Sequence, residues 1–265
     1  DRLMIAANGD VYVIDHNPTR LVVIDNEGKY KTDIMYRKDY YSNFGHIYKF
    51  NALGDNVFAG LKYVKEQPHI GVIFSLNPQK IISSYQYSGE VITIIGPFGY
   101  LQLKERICGH NPLIDTDSQH VIFCDPQAYK FRVYDGSGAL ILDVWDKKRT
   151  LGTFSDWEMK KIIADWYTKK KENSDYENDY IEQLTSNKSI YESLLEKIRK
   201  NKNVIADIRI SGVRIFVFPV AEDITREHFN PVEVYNLKGE VIKRGYFREV
   251  PLKIWKDFVF YKEND

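Results

Sequence analysis

The sequence predicts an all-β fold, a β-propeller of tandem four-stranded antiparallel units, with an α-helical insertion between two of them. Three observations predict it: an internal repeat that aligns without gaps, a polar turn at the same place in each copy, and one stretch where the apolar period lengthens from two to about 3.6. The repeat lays Gly9–Gly28 on Gln119–Gly138. Val11, Asp15, Val23, Asp25 and Gly28 are identical to Val121, Asp125, Val133, Asp135 and Gly138, and Asp33 and Ile34 continue the register opposite Asp143 and Val144.

Within a copy, Val11 and Val13 and then Leu21 and Val23 alternate with other residues, as half-buried strands require. Asp25-Asn-Glu-Gly28 and Asp135-Gly-Ser-Gly138 are hairpin turns, in which the aspartate accepts backbone N–H groups ahead of it and glycine supplies a positive φ. A looser copy runs through Val213–Phe218 and Pro231–Gly239 and ends in the same Val-Tyr-Asn-x-x-Gly pattern, with Ala221–Asn230 as a longer loop. Another, Asn56–Ala59 and His69–Pro78, puts Asn77-Pro78 where the turn glycine belongs. An innermost strand precedes two of the units after a shared Gly-His, Gly45-His46 and Gly109-His110, so each unit has four strands. Such units cannot cover their own faces and stack radially.

On these residues the chain resembles the six-bladed propeller families, the NHL type and the related bacterial surface and lipoprotein propellers. Their blades read as hydrophobic-Tyr-Val-x-Asp followed by Val-x-Asp-x-x-Gly. The resemblance implies six blades, a ligand site where loops converge at one mouth of the central channel, and an extracytoplasmic location: secreted, periplasmic or surface-anchored. The WD type is excluded, because no Trp-Asp pair ends a third strand and Asp156-Trp157 has the reverse order in a helical stretch. Units are expected at 3–36, 46–88, 111–146 and 203–247, with a short strand-like stretch at 90–107 and the opening of another unit at 252–261. The chain then divides into propeller blades over 1–150, the helical insertion over 151–202, and further blades over 203–265. Asp1–Asn8 is expected to complement the last unit, unless the chain, which begins at Asp1 rather than Met, has been trimmed.

In the insertion, Ser155-Asp-Trp-Glu158 is a capping box, and Met159, Ile162, Ile163, Trp166 and Tyr167 form one apolar stripe. Ser189-Ile-Tyr-Glu192 repeats the cap signal, and Tyr176–Leu184 reads as a helix between the two. Lys169–Lys171 is followed at once by Glu172, Asp175, Glu177 and Asp179, and is a solvated helix end.

Composition sets the outer limits. In 265 residues, 37 Lys and Arg balance 37 Asp and Glu, so no global field draws nucleic acid or an acidic membrane. No apolar run approaches the roughly 20 residues that span a bilayer. Cys108 and Cys124 are too few for a disulfide scaffold and read as two buried thiols in preference to one bridge.

His46 and His110 are the candidate ligand-binding residues, at matching positions where the chain enters an innermost strand. Some six-bladed lyases that the chain resembles hold zinc with three such histidines. Here the third place is Asn203 in one unit and Val250 in another, so an imidazole bonded to a neighbouring blade is the favoured role. Calcium-dependent six-bladed lactonases suggest Asp15, Asp125, Asp115 and Asp117 as oxygen donors, but Asp15 and Asp125 recur at strand ends, where carboxylates organise turns. His16, His69, His120 and His228 read as surface residues. Tyr40-Tyr41 and Gly96–Tyr100 read as aromatics that fill gaps between blades in preference to contacting a peptide or sugar. No nucleophile elbow, phosphate loop or His-Glu-x-x-His is present. The expected function is a non-catalytic extracytoplasmic scaffold that binds a protein or small ligand on one face, needs no cofactor and has no nucleic-acid partner. The alternative is a metal-dependent lyase or hydrolase, using zinc or calcium at the channel; a third reading is self-assembly through blade edges.

Overall fold

A computed structural model describes residues 3–6, 8–16, 19–35, 47–54, 56–62, 69–76, 78–87, 94–96, 99–101, 112–117, 119–149, 152–160, 188–200, 202–220, 230–256 and 258–261. The first sheet is β1 (Leu3–Ile5), β2 (Val11–His16), β3 (Thr19–Ile24) and β4 (Tyr30–Met35); the second is β5 (Ile47–Gly54), β6 (Val57–Lys62), β7 (Ile70–Leu76) and β8 (Gln79–Gln86). A two-stranded hairpin follows, β9 (Ile94–Gly96) and β10 (Gly99–Leu101). The third sheet is β11 (Leu113–Thr116), β12 (His120–Asp125), β13 (Lys130–Asp135) and β14 (Leu140–Trp145). The fourth is β15 (Ile205–Ser211), β16 (Arg214–Pro219), β17 (Asn230–Asn236) and β18 (Val241–Phe247), and a last hairpin pairs β19 (Lys253–Trp255) with β20 (Phe258–Phe260). Each four-stranded sheet is an antiparallel meander in chain order.

The turn chemistry repeats atom for atom. Asp25 Oδ1 accepts the N–H groups of Glu27 and Lys29 at 2.9 and 2.8 Å, and Asp135 Oδ1 those of Ser137 and Ala139 at 2.8 and 3.0 Å. Asn236 Oδ1 accepts those of Lys238 and Glu240 at 2.9 and 3.0 Å. Gly28, Gly138 and Gly239 take φ of 84°, 85° and 80°, which a side chain would oppose. The third-to-fourth strand register shifts at one equivalent place in every unit: Val23/Ile24, Ile73/Phe74, Val133/Tyr134 and Val234/Tyr235. The bulge therefore survives in the second unit without the glycine, its turn held by Ser75 Oγ donating to the Pro78 carbonyl at 2.5 Å.

Successive sheets stack face to face with their innermost strands side by side, which is the blade packing of a β-propeller. Met4, Tyr12, Leu21 and Val23 of the first sheet bury against Phe58, Val72 and Phe74 of the second, with Tyr12 edge-on to Phe58 at 5.2 Å. Leu53, Leu61, Ile73 and Tyr85 of the second meet Val121, Phe123 and Tyr134 of the third, Phe123 stacking on Tyr85 at 6.0 Å. Ile122, Phe131 and Val133 on the reverse of the third sheet meet Ile208, Ile210, Ile215 and Val217 of the fourth. Each of these side chains, fully buried, contributes about 1.5–3 kcal/mol relative to exposure. The third sheet thus packs directly on the second. The hairpin β9–β10, which lies between them in the chain, is not a blade of the stack, so among the described residues the series is four complete blades and the hairpin β19–β20. Nor does the N-terminal segment complement that last unit: β1 pairs with β2.

Of the expected helices, residues 156–160 are helical and α1 covers Lys188–Arg199; 161–187, with the central helix and the lysine run, lie outside the described residues. The capping box forms as expected, Ser155 N–H to Glu158 Oε2 at 2.7 Å and Glu158 N–H to Ser155 Oγ at 3.3 Å. Helix α1 begins at Lys188, one residue ahead of the expected cap Ser189. The ends of the insertion are tied together by paired Gly152 and Lys202 backbones, at 3.0 and 3.1 Å, and by Lys202 Nζ on Glu158 at 2.6 Å.

The reverse of the third sheet carries one polar knot. Glu233 on β17 accepts Tyr129 Oη at 2.5 Å, Tyr235 Oη at 3.0 Å, both Arg149 Nη atoms at 2.9 Å and Arg244 Nε at 3.0 Å. Burial works to raise the Glu233 carboxyl, but the hydrogen bonds from Arg149, Tyr129 and Arg244 prevail and hold it at about 2.

Gly71 leaves room for the Phe123 ring, since a Cβ there would lie 2.6 Å from ring carbon Cδ1. Gly71→Ala should therefore cost about 1–3 kcal/mol by overpacking, and Phe123→Leu should relieve much of it in the double variant, read by urea unfolding. Glu233 is held below its ordinary value of 4.5, so its contribution is complete above that pH and is lost as pH falls from 4.5 toward 2. Thermal midpoints across that window should fall steeply in the wild type and less steeply in Glu233→Gln.

Candidate functional site

The candidate site is the polar seam where the innermost strands β11, β15 and β19 come together, the part of a propeller that faces its axis. On β11, Leu113 turns toward the fourth sheet and Ile114 toward the second, so Asp115 and Asp117 share the side of Leu113. Among the described strands β15 pairs with β16 on one edge, and its other edge needs hydrogen-bond acceptors. Asp115 Oδ2 accepts the Ile210 N–H at 2.9 Å and Asp117 Oδ2 the Gly212 N–H at 2.7 Å. Two carboxylates at i and i+2 thus meet two edge amides at i and i+2, and side chains stand in for a neighbouring strand.

The cations complete the seam. Lys253 on β19 reaches back to Asp115 Oδ1 at 2.7 Å and also donates to the Thr116 carbonyl. Arg209 on β15 forks onto Asp207, with Nη2 to Oδ2 at 2.7 Å, while its Nε donates to the Pro251 and Leu252 carbonyls at 3.0 Å. Lys256 N–H donates to Ser211 Oγ at 2.8 Å. Burial raises the Asp115 carboxyl above its usual range, against the pull of Lys253. For Asp117 burial also works upward, but the hydrogen bonds from His120 and Gln119 outweigh it and hold the group low.

Asp115 and Asp117 therefore do not fit a calcium site: each carboxylate is already committed to backbone N–H groups, with Lys253 on one and His120 on the other. Among the described residues no three His, Cys, Asp or Glu side chains gather as metal ligands. Asp125 Oδ1 accepts the Gln127 N–H at 3.0 Å, the turn-organising role read from the repeat. His46 and His110 lie outside the described residues, as do Cys108 and Tyr40-Tyr41, and the side chains of Asp15 and of the Gly96–Tyr100 segment are not described. Two histidines depart from the surface reading: His69 is buried, and His120 is half-buried with Nδ1 3.3 Å from Asp117 Oδ1. Cys124 is a free buried thiol that burial pushes well above its ordinary range, which leaves it unreactive.

Sequence reading missed the seam because its partners are far apart in the chain; the one local signal is the Asp-x-Asp spacing of 115 and 117.

No protein-family model matches this sequence, and no curated protein matches it. Among solved structures, the chain is similar to a protein of unknown function from Bacteroides caccae, at 9% identity and TM-score 0.34 over 92% of this chain and 66% of that one. It is also similar to the β-propeller domain of Cps50 (Swd1) from Myceliophteria thermophila, at 9% identity and TM-score 0.32 over 92% and 72% of the two chains. A third is Hsv2 from Kluyvelomyces marxianus, at 10% identity and TM-score 0.28 over 97% and 67%. The β-propeller class rests here on the repeated sheets and their stacking.

Asp115→Ala would leave the Ile210 N–H without its acceptor and the Lys253 ammonium with the Thr116 carbonyl but no carboxylate, a loss of about 2–4 kcal/mol. Lys253→Met should cost less, because Asp115 keeps its amide donor. Urea unfolding of both and of the double variant should show non-additivity, since the two share one contact.

Proposed function

We propose that the protein is a non-catalytic propeller scaffold that binds a partner protein at the outer rim of its blades. The observation that carries the reading is a repeated one. At the residue just before the bulge on each outermost strand, Tyr30, Ile81, Leu140 and Val241 stand 66%, 36%, 49% and 37% exposed. Ile82, Ile141 and Ile242 follow them, also exposed. One apolar side chain on a surface is ordinary, but a set at equivalent positions of stacked blades forms a rim. On the third blade the rim ends at Trp145, 53% exposed, with the ammonium groups of Lys130 and Lys147 at 5.0 and 4.5 Å from its ring. The polar groups of the innermost seam, by contrast, are spent on one another, which supports binding over turnover.

An extracytoplasmic setting belongs to the same proposal, and the likeness of the repeat to bacterial surface propellers supports it.

Leu140→Asp combined with Ile242→Lys should remove at least one partner that the wild type retains in quantitative pull-downs, with the thermal midpoint within a few degrees. A partner set indifferent to the rim, together with a turnover abolished by Asp115→Ala, would contradict the reading.

A further inference from the structure

The outer rim of the third blade carries cations that the acids around it leave without countercharge. Lys130 on β13 stands opposite Trp145 on β14 in the register, so the two share one face of the sheet. The Lys130 ammonium lies 5.0 Å from the centre of the indole and 5.9 Å from that of Tyr85 on the second blade, and the Lys147 ammonium lies 4.5 Å from the indole. Aromatic rings attract an ammonium through their π faces but do not neutralise it.

The acids nearby are committed elsewhere. Asp143 pairs with Arg132 at 2.8 Å, Asp146 with Arg149 at 3.3 Å, and Glu233 with Arg149 and Arg244 at 2.9 and 3.0 Å. Asp125, opposite Lys130 on β12, is buried and turns Oδ1 to the Gln127 N–H. Among the described residues, then, Arg132 and Arg149 have carboxylate partners, whereas Lys130, Lys147 and Lys148 form no ion pair. The first blade shows the contrast. Tyr30 is exposed on its rim too, but the lysines on either side, Lys29 and Lys31, are paired with Glu27 and Asp10 at 2.7 Å each. An aromatic beside lysines does not by itself make an unneutralised patch; on the third blade it does.

Strand β14 also has backbone to offer. It is the outermost strand of its sheet and, among the described strands, pairs with β13 on one edge, with a regular register from Leu142 to Trp145. Neither proline nor lysine, the residues that commonly guard such an edge, occurs in Leu140–Trp145. An extended segment can add to a strand of this kind through main-chain hydrogen bonds.

Taking the rim as the binding surface, on which this reading rests, we infer that the partner meets the third blade with an acidic, extended segment. Its main chain pairs with the outer edge of β14, and its Asp or Glu carboxylates take the ammonium groups of Lys130 and Lys147 beside Trp145. A single-stranded nucleic acid would also place anions on the lysines and a base on the indole, but it makes no use of a strand edge, and the chain's balanced charge gives it no long-range draw.

The test is selection of phage-displayed random peptides on the whole chain, each of about twelve residues, enough to span β14 with flanks at roughly 3.3 Å per residue. Enriched peptides should alternate Asp or Glu with apolar or β-branched residues. Synthesised and labelled, they should bind about tenfold more weakly to the double variant Lys130→Gln, Lys147→Gln, whose thermal midpoint should match the wild type. Affinity should also fall as NaCl rises from about 50 to about 500 mM, and N-methylation of alternate backbone amides should abolish it. Selected peptides that are neutral, or indifferent to the two lysines, yet fail to bind Leu140→Asp, Ile242→Lys would overturn the acidic segment and leave the rim standing. Acidic peptides that need the lysines and bind that rim variant undiminished would uphold the segment and remove the apolar rim from the contact. Selection that enriches nothing would overturn the inference, as would an oligothymidylate that binds more tightly than any selected peptide and weakens in the lysine variant.

Discussion

Every blade in this chain is apolar on both faces, and that constraint organises the rest. In a sheet with one solvated face the strands alternate apolar and polar; here β12 runs Val121-Ile-Phe-Cys124 without a polar break and every one of those residues is buried. Odd positions face the second blade and even positions the fourth. A sheet so built cannot stand alone, and its stability is inseparable from its neighbours. The close approach at Gly71, where a methyl group has no room beside Phe123, and at Gly54, whose Cβ would lie 3.3 Å from the Gly136 carbonyl oxygen, shows how tightly the middle of the stack is fitted.

Polar chemistry enters only where stacking leaves backbone or charge uncovered. The free edge of an innermost strand is one such place, and Asp115 and Asp117 are there to accept its amides. The reverse of the third blade is another, where Glu233 gathers two tyrosines and two arginines. Both clusters join one blade to the next, and in both the donors and acceptors satisfy each other. A carboxylate bound to backbone N–H groups and a lysine is poor material for a metal site or a general base, however suggestive its place near the axis. Among the described residues, exposed apolar side chains recur at equivalent positions of the outer rim.

The fold was legible because its determinants are local and repeated. Asp25, Asp135 and Asn236 announce their turns by spacing to the next glycine, and the period-two runs of Val and Ile mark the strands. The capping box at Ser155 is a four-residue signal and needs no tertiary help. What escaped was non-local. Nothing in the sequence at Lys253 points to Asp115, 138 residues away, or at Tyr129 to Glu233, 104 residues away. The strand-like stretch at 90–107 does contain β9–β10, but a strand pattern carries no information about which sheet lies next to which. His69 and His120 looked like surface residues because turn-rich sequence surrounds them, whereas His69 is buried and His120 is half-buried beside Asp117.

The direct stacking of the second blade on the third is the contact on which this account turns, and a disulfide across it is the sharpest test. A Cβ on Gly138 would lie 3.5 Å from the Cβ of Ile82, within the range that a disulfide spans. Gly138 holds φ at 85°, which a side chain opposes at a cost of about 1–2 kcal/mol, so the double variant Ile82→Cys, Gly138→Cys is first shown to keep the wild-type circular dichroism spectrum; mild oxidation followed by peptide mapping should then find those two cysteines bonded to each other, with Cys124 still free. Two thiols that stay reduced, or that pair elsewhere, would mean that these sheets are not adjacent blades.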